Sequence, residues 1–214
     1  MKSNTTGDLQ PIKFPLPSFQ SCGTLLEALK MRRTSRAIGD KPISLQSLSD
    51  ILWAAQGVNR LKGPFGIPGL TAGSASNSQE ILIYVAREEG TYLYEPVLHR
   101  LAPVSAGDNR AAALGPGQGA TGAKAPARFI YVADIQRFKN AGFQEPGLFD
   151  PEIQKSYYFI DTGLIAQNVY LAVASLGLAA WFHNCNKAEA SKKLGLKANQ
   201  RALFGQTIGY EEEA

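Results

Sequence analysis

Three arginines and two hydroxyls occupy five consecutive positions, Arg32-Arg33-Thr34-Ser35-Arg36. A guanidinium stays charged and grips phosphate or carboxylate oxygens through two parallel N–H bonds. The Thr34 hydroxyl and nearby backbone N–H groups can complete an anion site. On charge alone, such a run is more commonly a solvated basic turn. A second cluster, Ser74-Ala75-Ser76-Asn77-Ser78-Gln79, brings Asn77 and Gln79 two positions apart. Each amide carries both a donor and an acceptor and can read the edge of a planar heterocycle that bears C=O and N–H groups. The same composition also suits a turn or cap, which is its more frequent use. A third stretch, Leu178 to Cys185 (LAAWFHNC), follows a long apolar segment. His183 changes charge near neutral pH, although a lone histidine in apolar company is usually packed. Cys185 would need a base and a lowered pKa to act as a nucleophile. Together the three clusters describe a site for an anionic, planar, hydrogen-bonding ligand, a description that a flavin nucleotide fits.

Other chemistries find no support. Cys22 and Cys185 lie far apart, as do His99 and His183, so no zinc-binding spacing exists. Asp134 and Asp161 read as single carboxylates, and no pair suited to glycoside hydrolysis stands out. There is no P-loop and no G-x-S-x-G elbow. Gly115-Pro116-Gly117-Gln118-Gly119 follows no strand signal, so it is not a dinucleotide fingerprint. Lys and Arg total 22 against 18 Asp and Glu, a net charge of +4. That mild excess suits a small anion. Without a basic block or an aromatic stripe it argues against nucleic acid. The apolar run from Gly163 to Ala180 is broken by Gln167, Asn168 and Ser175, so it reads as a core helix and not as a membrane span. The first twenty residues are polar and proline-bearing and lack a signal peptide's apolar centre. Cytoplasmic location is expected for the chain as given.

These clusters must be positioned by the elements around them. Residues 1–21, with Pro11, Pro15 and Pro17, read as an extended arm, and 22–214 as one folded domain. Helices are predicted over Thr24–Arg32 and Leu45–Gln56, the second with Ser44 as N-cap and Gly57 as stop. Residues 57–73 read as loop. Strands are predicted over Glu80–Ala86, Thr91–Tyr94, His99–Val104 and Arg128–Ala133. Residues 105–125 read as a surface excursion and 136–155 as a lid. Ser156–Leu178 is the longest predicted helix and is apolar nearly all round. Asn186–Leu194 has a capping-box pattern with Asn186 and Glu189, and Ala202–Tyr210 is a final strand. Helices, clustered strands, helices and a strand, without regular βαβ alternation, make an α+β chain.

In this order the motifs resemble the nitroreductase superfamily of FMN flavoproteins. The resemblance rests on Arg32–Arg36, LSDILWAAQG at Leu48–Gly57, Ser76–Gln79, the long helix with Asp161, Gly163, Gln167-Asn168 and Leu176-Gly177-Leu178, and Ile208-Gly209-Tyr210. It covers roughly residues 20–210. LWAAQG and the EILIYVA–TYLYEP–HRL meander are most similar to the branch related to thiazole/oxazole-forming dehydrogenases. The resemblance implies an α+β fold with an antiparallel or mixed sheet, a homodimer built around the long helix, and FMN at the interface. It implies that Arg32 meets the phosphate, that Arg33 and Thr34 meet the ribityl–phosphate region, and that Arg36 approaches the N1/O2 edge of the flavin ring. Asn77, with Gln79 in the same motif, reads its pyrimidine edge, and Asn184–Cys185 offer backbone N–H to N5. Many relatives continue past the final Gly-Tyr with basic residues, whereas this sequence has Glu211-Glu212-Glu213. Arg32, with Arg33 or Lys187, is then expected to carry the phosphate.

The implied activity is transfer of hydride from NADH or NADPH through flavin N5 to a small-molecule electron acceptor such as a nitroaromatic or quinone. Two further readings stay open. One is a flavin-dependent dehydrogenase acting on a heterocycle or peptide-like substrate. The other is a flavin- or small-ligand-binding protein without turnover.

Overall fold

The computed structural model describes residues 6–18, 22–118 and 125–212. Parts of the expected arm (1–5 and 19–21) and of the expected excursion (119–124) lie outside the described residues, as do 213 and 214. The chain forms strand β1 (Ile12–Lys13), helix α1 (Leu25–Met31), helix α2 (Leu45–Gln56), and strands β2 (Val58–Arg60), β3 (Gly69–Leu70), β4 (Ile81–Ala86), β5 (Gly90–Glu95), β6 (Arg100–Ala106) and β7 (Ala127–Asp134). Helix α3 (Pro151–Ser175), strand β8 (Ala179–Asn184), helix α4 (Lys187–Leu194) and strand β9 (Gln200–Gly209) complete it. Seven strands make one sheet in the order β1-β6-β5-β4-β7-β9-β8. Every neighbouring pair is antiparallel. The α+β expectation therefore holds, and the sheet is antiparallel throughout.

Alternation along β7 sorts the two faces. Phe129, Tyr131 and Ala133 point into the core shared with α2 and α3, while Ile130 and Val132 point to the side covered by α4. The described N-terminal residues lie on their own chain. Ile12 pairs with Leu101 in β6, and the Ser18 N–H donates to Asp50 at 2.9 Å.

Local chemistry sets the helix ends. Thr24 and Glu27 close a reciprocal capping box on α1. The Ser44 hydroxyl caps α2 by accepting from the Ser47 N–H. At Gly57 an added Cβ would meet the Trp53 ring at 2.3 Å, so the chain can leave α2 there only without a side chain.

The structure corrects three expectations. Helix α3 starts at Pro151, five residues before the predicted start. Asp150 accepts from the Glu152 and Ile153 N–H groups, and Pro151 takes the first turn, where its missing donor costs nothing. Gly177, at φ 67°, ends the helix, and the residues after it continue as strand β8. The helix thus stops three residues before the predicted Leu178, and within Leu178–Cys185 the stretch Ala179–Asn184 pairs along its length with β9. Finally, 136–150 is pinned and is no free lid, because Phe138 and Leu148 are fully buried in a satellite cluster. The expected 57–73 loop also carries the short β2–β3 hairpin.

Candidate functional site

The segment after α1 runs along the free edge of β8. The Ser35 N–H donates to the Ala180 carbonyl at 3.0 Å, and the Gly39 N–H to Tyr210. This anchoring spreads the basic run over a cavity of about 470 Å³ that Lys30, Arg32, Arg33, Ser35, Tyr170 and Glu211 help to line. The arginines have separate fates. Arg32 lies over the Tyr170 ring of α3, with Cζ 5.5 Å from its centroid. Arg36 lies over Trp181 at 5.7 Å. Trp181 packs with Leu114 and Ala125, on the sheet face opposite α3, so the two guanidiniums flank β8 from both sides. Arg33 is ion-paired with Glu211 at 2.5 Å; the two side chains are 70% and 44% exposed. The Arg33 guanidinium and the Ser35 hydroxyl hold the Glu211 carboxyl below its usual pKa. The Glu tail thus engages one of the three arginines. Lys187 opens α4 and does not line this cavity.

Tyr170 organises this end of the site. Its hydroxyl accepts from the Phe182 N–H at 2.8 Å and lies 3.1 Å from the Thr34 hydroxyl. The Tyr170 proton is then free to go to Thr34, which leaves the Thr34 hydroxyl hydrogen available to a ligand. No sequence pattern singled out Tyr170. The only signal was a phenol in the otherwise apolar C-terminal stretch Val169–Ala174 of the helix.

At the other end, residues 74–79 form a turn of unusual backbone. Ser76, Asn77 and Gln79 have φ of 50°, 53° and 50°, a left-handed conformation that costs about 1–3 kcal/mol per non-glycine residue and concentrates at functional sites. Side chains hold it there. The Gln79 N–H donates to the Ser74 hydroxyl, the Ser76 hydroxyl to Glu145, and the Ala75 N–H to Asp161. The Gln79 amide nitrogen donates to the Pro68 carbonyl and to Asn77 Oδ1. Gln79 therefore sits behind Asn77 and orients it. With its oxygen engaged, Asn77 presents a buried Nδ2 that has no hydrogen-bond partner among the described residues. Such an amide is expensive to leave unpaired.

The two ends share one scaffold. Tyr170 and Asp161 are nine residues apart on α3, about 14 Å along the helix axis at 1.5 Å per residue. Strand β8 runs beside α3 over the same span. Phe182 and Phe204 approach at 4.9 Å, and Phe159 of α3 approaches Phe204 at 5.8 Å, next to Asn184, which pairs with Phe204. Along α3 and β8 the order is thus a cationic end at Arg32 and Thr34 beside the cavity, an apolar, aromatic stretch and an amide-bearing end.

The chemistry of Asn184, Cys185 and His183 is now readable. The Cys185 N–H donates to the Asn184 side-chain oxygen at 3.0 Å. The Cys185 thiol is buried under α4, and burial pushes its pKa up to about 11. It is no nucleophile at neutral pH. His183 is buried against Trp181 and contacts the Asn184 carbonyl through Nδ1 and the Thr207 hydroxyl through Nε2. A carbonyl only accepts, so Nδ1 carries the hydrogen and Nε2 receives the Thr207 proton. Burial lowers the His183 pKa, which keeps the ring neutral and structural. Cys22 and Cys185 are both free thiols. Asp161, read from sequence as a single carboxylate, is instead buried together with a second carboxyl on which its charge acts, Glu80, 81 positions away in sequence.

A nitroreductase family model matches residues 29–210. The chain belongs to the nitroreductase family. It is 31% identical over 181 residues to a protein of Methanocaldococcus jannaschii provisionally named a nitroreductase, covering 80% of this chain and 82% of that one. A crystal structure of a provisionally named nitroreductase from Ralstonia eutropha superposes with a TM-score of 0.81 at 29% identity, over 96% of this chain and 91% of that one. The fold is also that of a chain in the Escherichia coli microcin synthetase McbBCD complex with truncated pro-MccB17 bound (TM-score 0.69, 16% identity, 86% of this chain and 70% of that one). In this nitroreductase-family chain, the matched region contains the Arg32 end, the Asn77 turn and the aromatic stretch between them.

Proposed function

We propose that this chain is an FMN-dependent oxidoreductase that takes hydride from NADH or NADPH and passes electrons to a small-molecule acceptor such as a nitroaromatic or quinone. Family and fold support a flavin-dependent oxidoreductase in general. The observation that carries the finer reading is the unpartnered Asn77 amide at one end of an aromatic stretch whose other end holds Arg32 and Thr34. These residues fit a mononucleotide with an anionic tail and a flat, hydrogen-bonding head.

Arg32 would hold the phosphate, and Thr34 would donate to it or to the adjoining chain. Asn77, oriented by Gln79, would donate to a ring carbonyl. Phe159, Phe182 and Phe204 offer apolar surface to the ring between these ends, and Asn184–Cys185 border it. Arg36 would supply positive charge from the Trp181 side of β8, where it favours a ligand that gains negative charge. Bound FMN would supply the redox chemistry, accepting two electrons from reduced nicotinamide and yielding them to the acceptor. The protein's own part is to bind, orient and exclude water.

We further propose a homodimer. Leu25, Leu26 and Leu29 of α1 and Ile160 and Leu164 of α3 are exposed, and a soluble monomer seldom leaves such helix faces uncovered. In this reading 22–214 is the FMN-binding domain and 1–21 its arm. The free thiols fit a reducing compartment, and we place the protein in the cytoplasm. No helix among the described residues is long and apolar enough to cross a membrane. A dehydrogenase acting on a heterocycle or peptide-like substrate is the second reading, favoured by the fold shared with the McbBCD chain.

Fluorescence titration with FMN tests the assignment. Stoichiometric binding that weakens on Arg32→Ala and on Asn77→Ala is expected. A protein that takes up no FMN, or whose two variants bind as tightly as the wild type, overturns it.

A further inference from the structure

Glu80 and Asp161 are the most deeply buried carboxyl pair in the described structure, 0% and 4% exposed. Each grips one arm of the turn that carries Asn77. The Ala75 N–H donates to Asp161 Oδ2 at 2.9 Å, and the Ser78 hydroxyl donates to Glu80 Oε2 at 2.6 Å. Glu80 Oε1 has no hydrogen-bond partner among the described residues, and the charge of the nearby Asp161 carboxylate acts on Glu80. Two buried carboxylates that act on each other repel and neither can donate, so protonation of one of them is favoured, and the unpartnered Glu80 oxygen is free to carry the hydrogen.

The surroundings supply no compensating cation. Arg137, in the short helical turn after β7, donates to the Gln79 carbonyl at 2.8 Å. Glu145 accepts from the Ser76 hydroxyl and adds further negative charge on that side, which with Asp161 raises the Tyr157 phenol of α3. From β7, Asp134 reaches the Glu80 carbonyl through its backbone N–H, while its carboxylate accepts from Asn199 and Gln200. Among the described residues neither Glu80 nor Asp161 enters an ion pair.

We propose that Glu80 and Asp161 share one proton in a carboxyl pair that clamps the strained 74–79 turn and sets the aim of Asn77, so that loss of this proton releases the turn and weakens flavin binding. Glu80 is thus a positioning residue, acting through Asn77. The last clause rests on the flavin reading; the clamp itself does not. Burial, with the Asp161 charge added, pushes the Glu80 carboxyl up to about 8, so the proton is held at neutral pH and lost in mild alkali.

The test is hydrogen exchange of peptides spanning 74–79, corrected for intrinsic rate, on the full chain at pH 6.5 and 9.5, for wild type and Glu80→Gln. Glutamine keeps a donor for Asp161 and an acceptor for Ser78 but cannot ionise. Wild-type protection of the turn should fall by about tenfold or more across this range, while Glu80→Gln stays protected at both pH values. Equal behaviour of the two proteins, or wild-type protection that does not change with pH, overturns the clamp. Should the variant fail to fold, an infrared titration of the wild type decides: a buried protonated carboxyl present at pH 6.5 and gone at pH 9.5 supports the pair, and none at pH 6.5 overturns it. FMN titration at the same two pH values then tests the coupling. Loss of affinity at pH 9.5 in wild type alone supports it, and equal affinity at both contradicts it. Absence of FMN binding at either pH would sink the flavin reading while leaving the exchange result to judge the clamp.

Discussion

Arg32, Arg33 and Arg36 look equivalent in the sequence, and the fold makes them unequal. Arg33 spends its charge on Glu211 in an exposed pair of small energetic weight, whereas Arg32 faces the cavity beside Tyr170. Charged hydrogen bonds contribute about 1.5–3 kcal/mol. Arg32→Ala should therefore raise the FMN dissociation constant by about ten- to a hundredfold, with Arg33→Ala within about threefold of wild type. Glu211→Gln, which frees Arg33, should tighten binding. The three titrations, run side by side at one ionic strength, check this order, and an Arg33 loss as large as that of Arg32 would refute it. A second prediction concerns stability. The Glu80 carboxyl is raised in the folded state, so its stabilising contribution is complete below the unfolded pKa near 4.5 and is lost as pH rises toward about 8. Urea unfolding should show Glu80→Gln gaining on wild type by up to about 1.4 kcal/mol per pH unit across that window, and no further above it. The basic run and the Asn77–Gln79 motif were legible in the sequence as ligand-binding residue types. The Glu80–Asp161 pair was not, because 81 positions of chain separate two carboxyls that only the tertiary fold brings together.

At the scale of elements, most boundaries could be read from capping and alternation. Ser44, Thr24 and Asn186 mark helix starts where expected. Two boundaries could not be read in advance, the first because an apolar run does not show whether it is helix or strand. Gly163 to Ala180 reads as one run, yet Gly177 turns it from α3 into β8. At the other end of α3, residues 136–155 read as a lid, while Asp150-Pro151 is a helix start. Strand pairing also explains an intolerance. Gly205 of β9 lies opposite His183 of β8. A Cβ there would meet the Ala113 carbonyl at 2.4 Å and the His183 ring at 2.6 Å. Gly205→Ala should lower stability by about 1–3 kcal/mol, seen as a lower urea midpoint with unchanged slope. An unchanged midpoint would show that the β8–β9 register is looser than described.

At the scale of the molecule, one antiparallel sheet and one long helix hold a cationic end and an amide end at a fixed separation, and exposed leucines and isoleucine lie on the faces where the proposed second copy would pack. Leu164→Glu should shift the protein from dimer to monomer in light scattering and weaken FMN with it. A dimer that survives the change would move the interface elsewhere. The central claim is that these two ends hold a flavin that reduced nicotinamide can reach. The most direct measurement is the visible spectrum of the FMN-loaded protein under anaerobic conditions, before and after NADH or NADPH. Bleaching of the bound flavin, reversed by a quinone or nitroaromatic, is the predicted result. A protein that binds no flavin, or whose bound flavin stays oxidised with both nicotinamides, contradicts it.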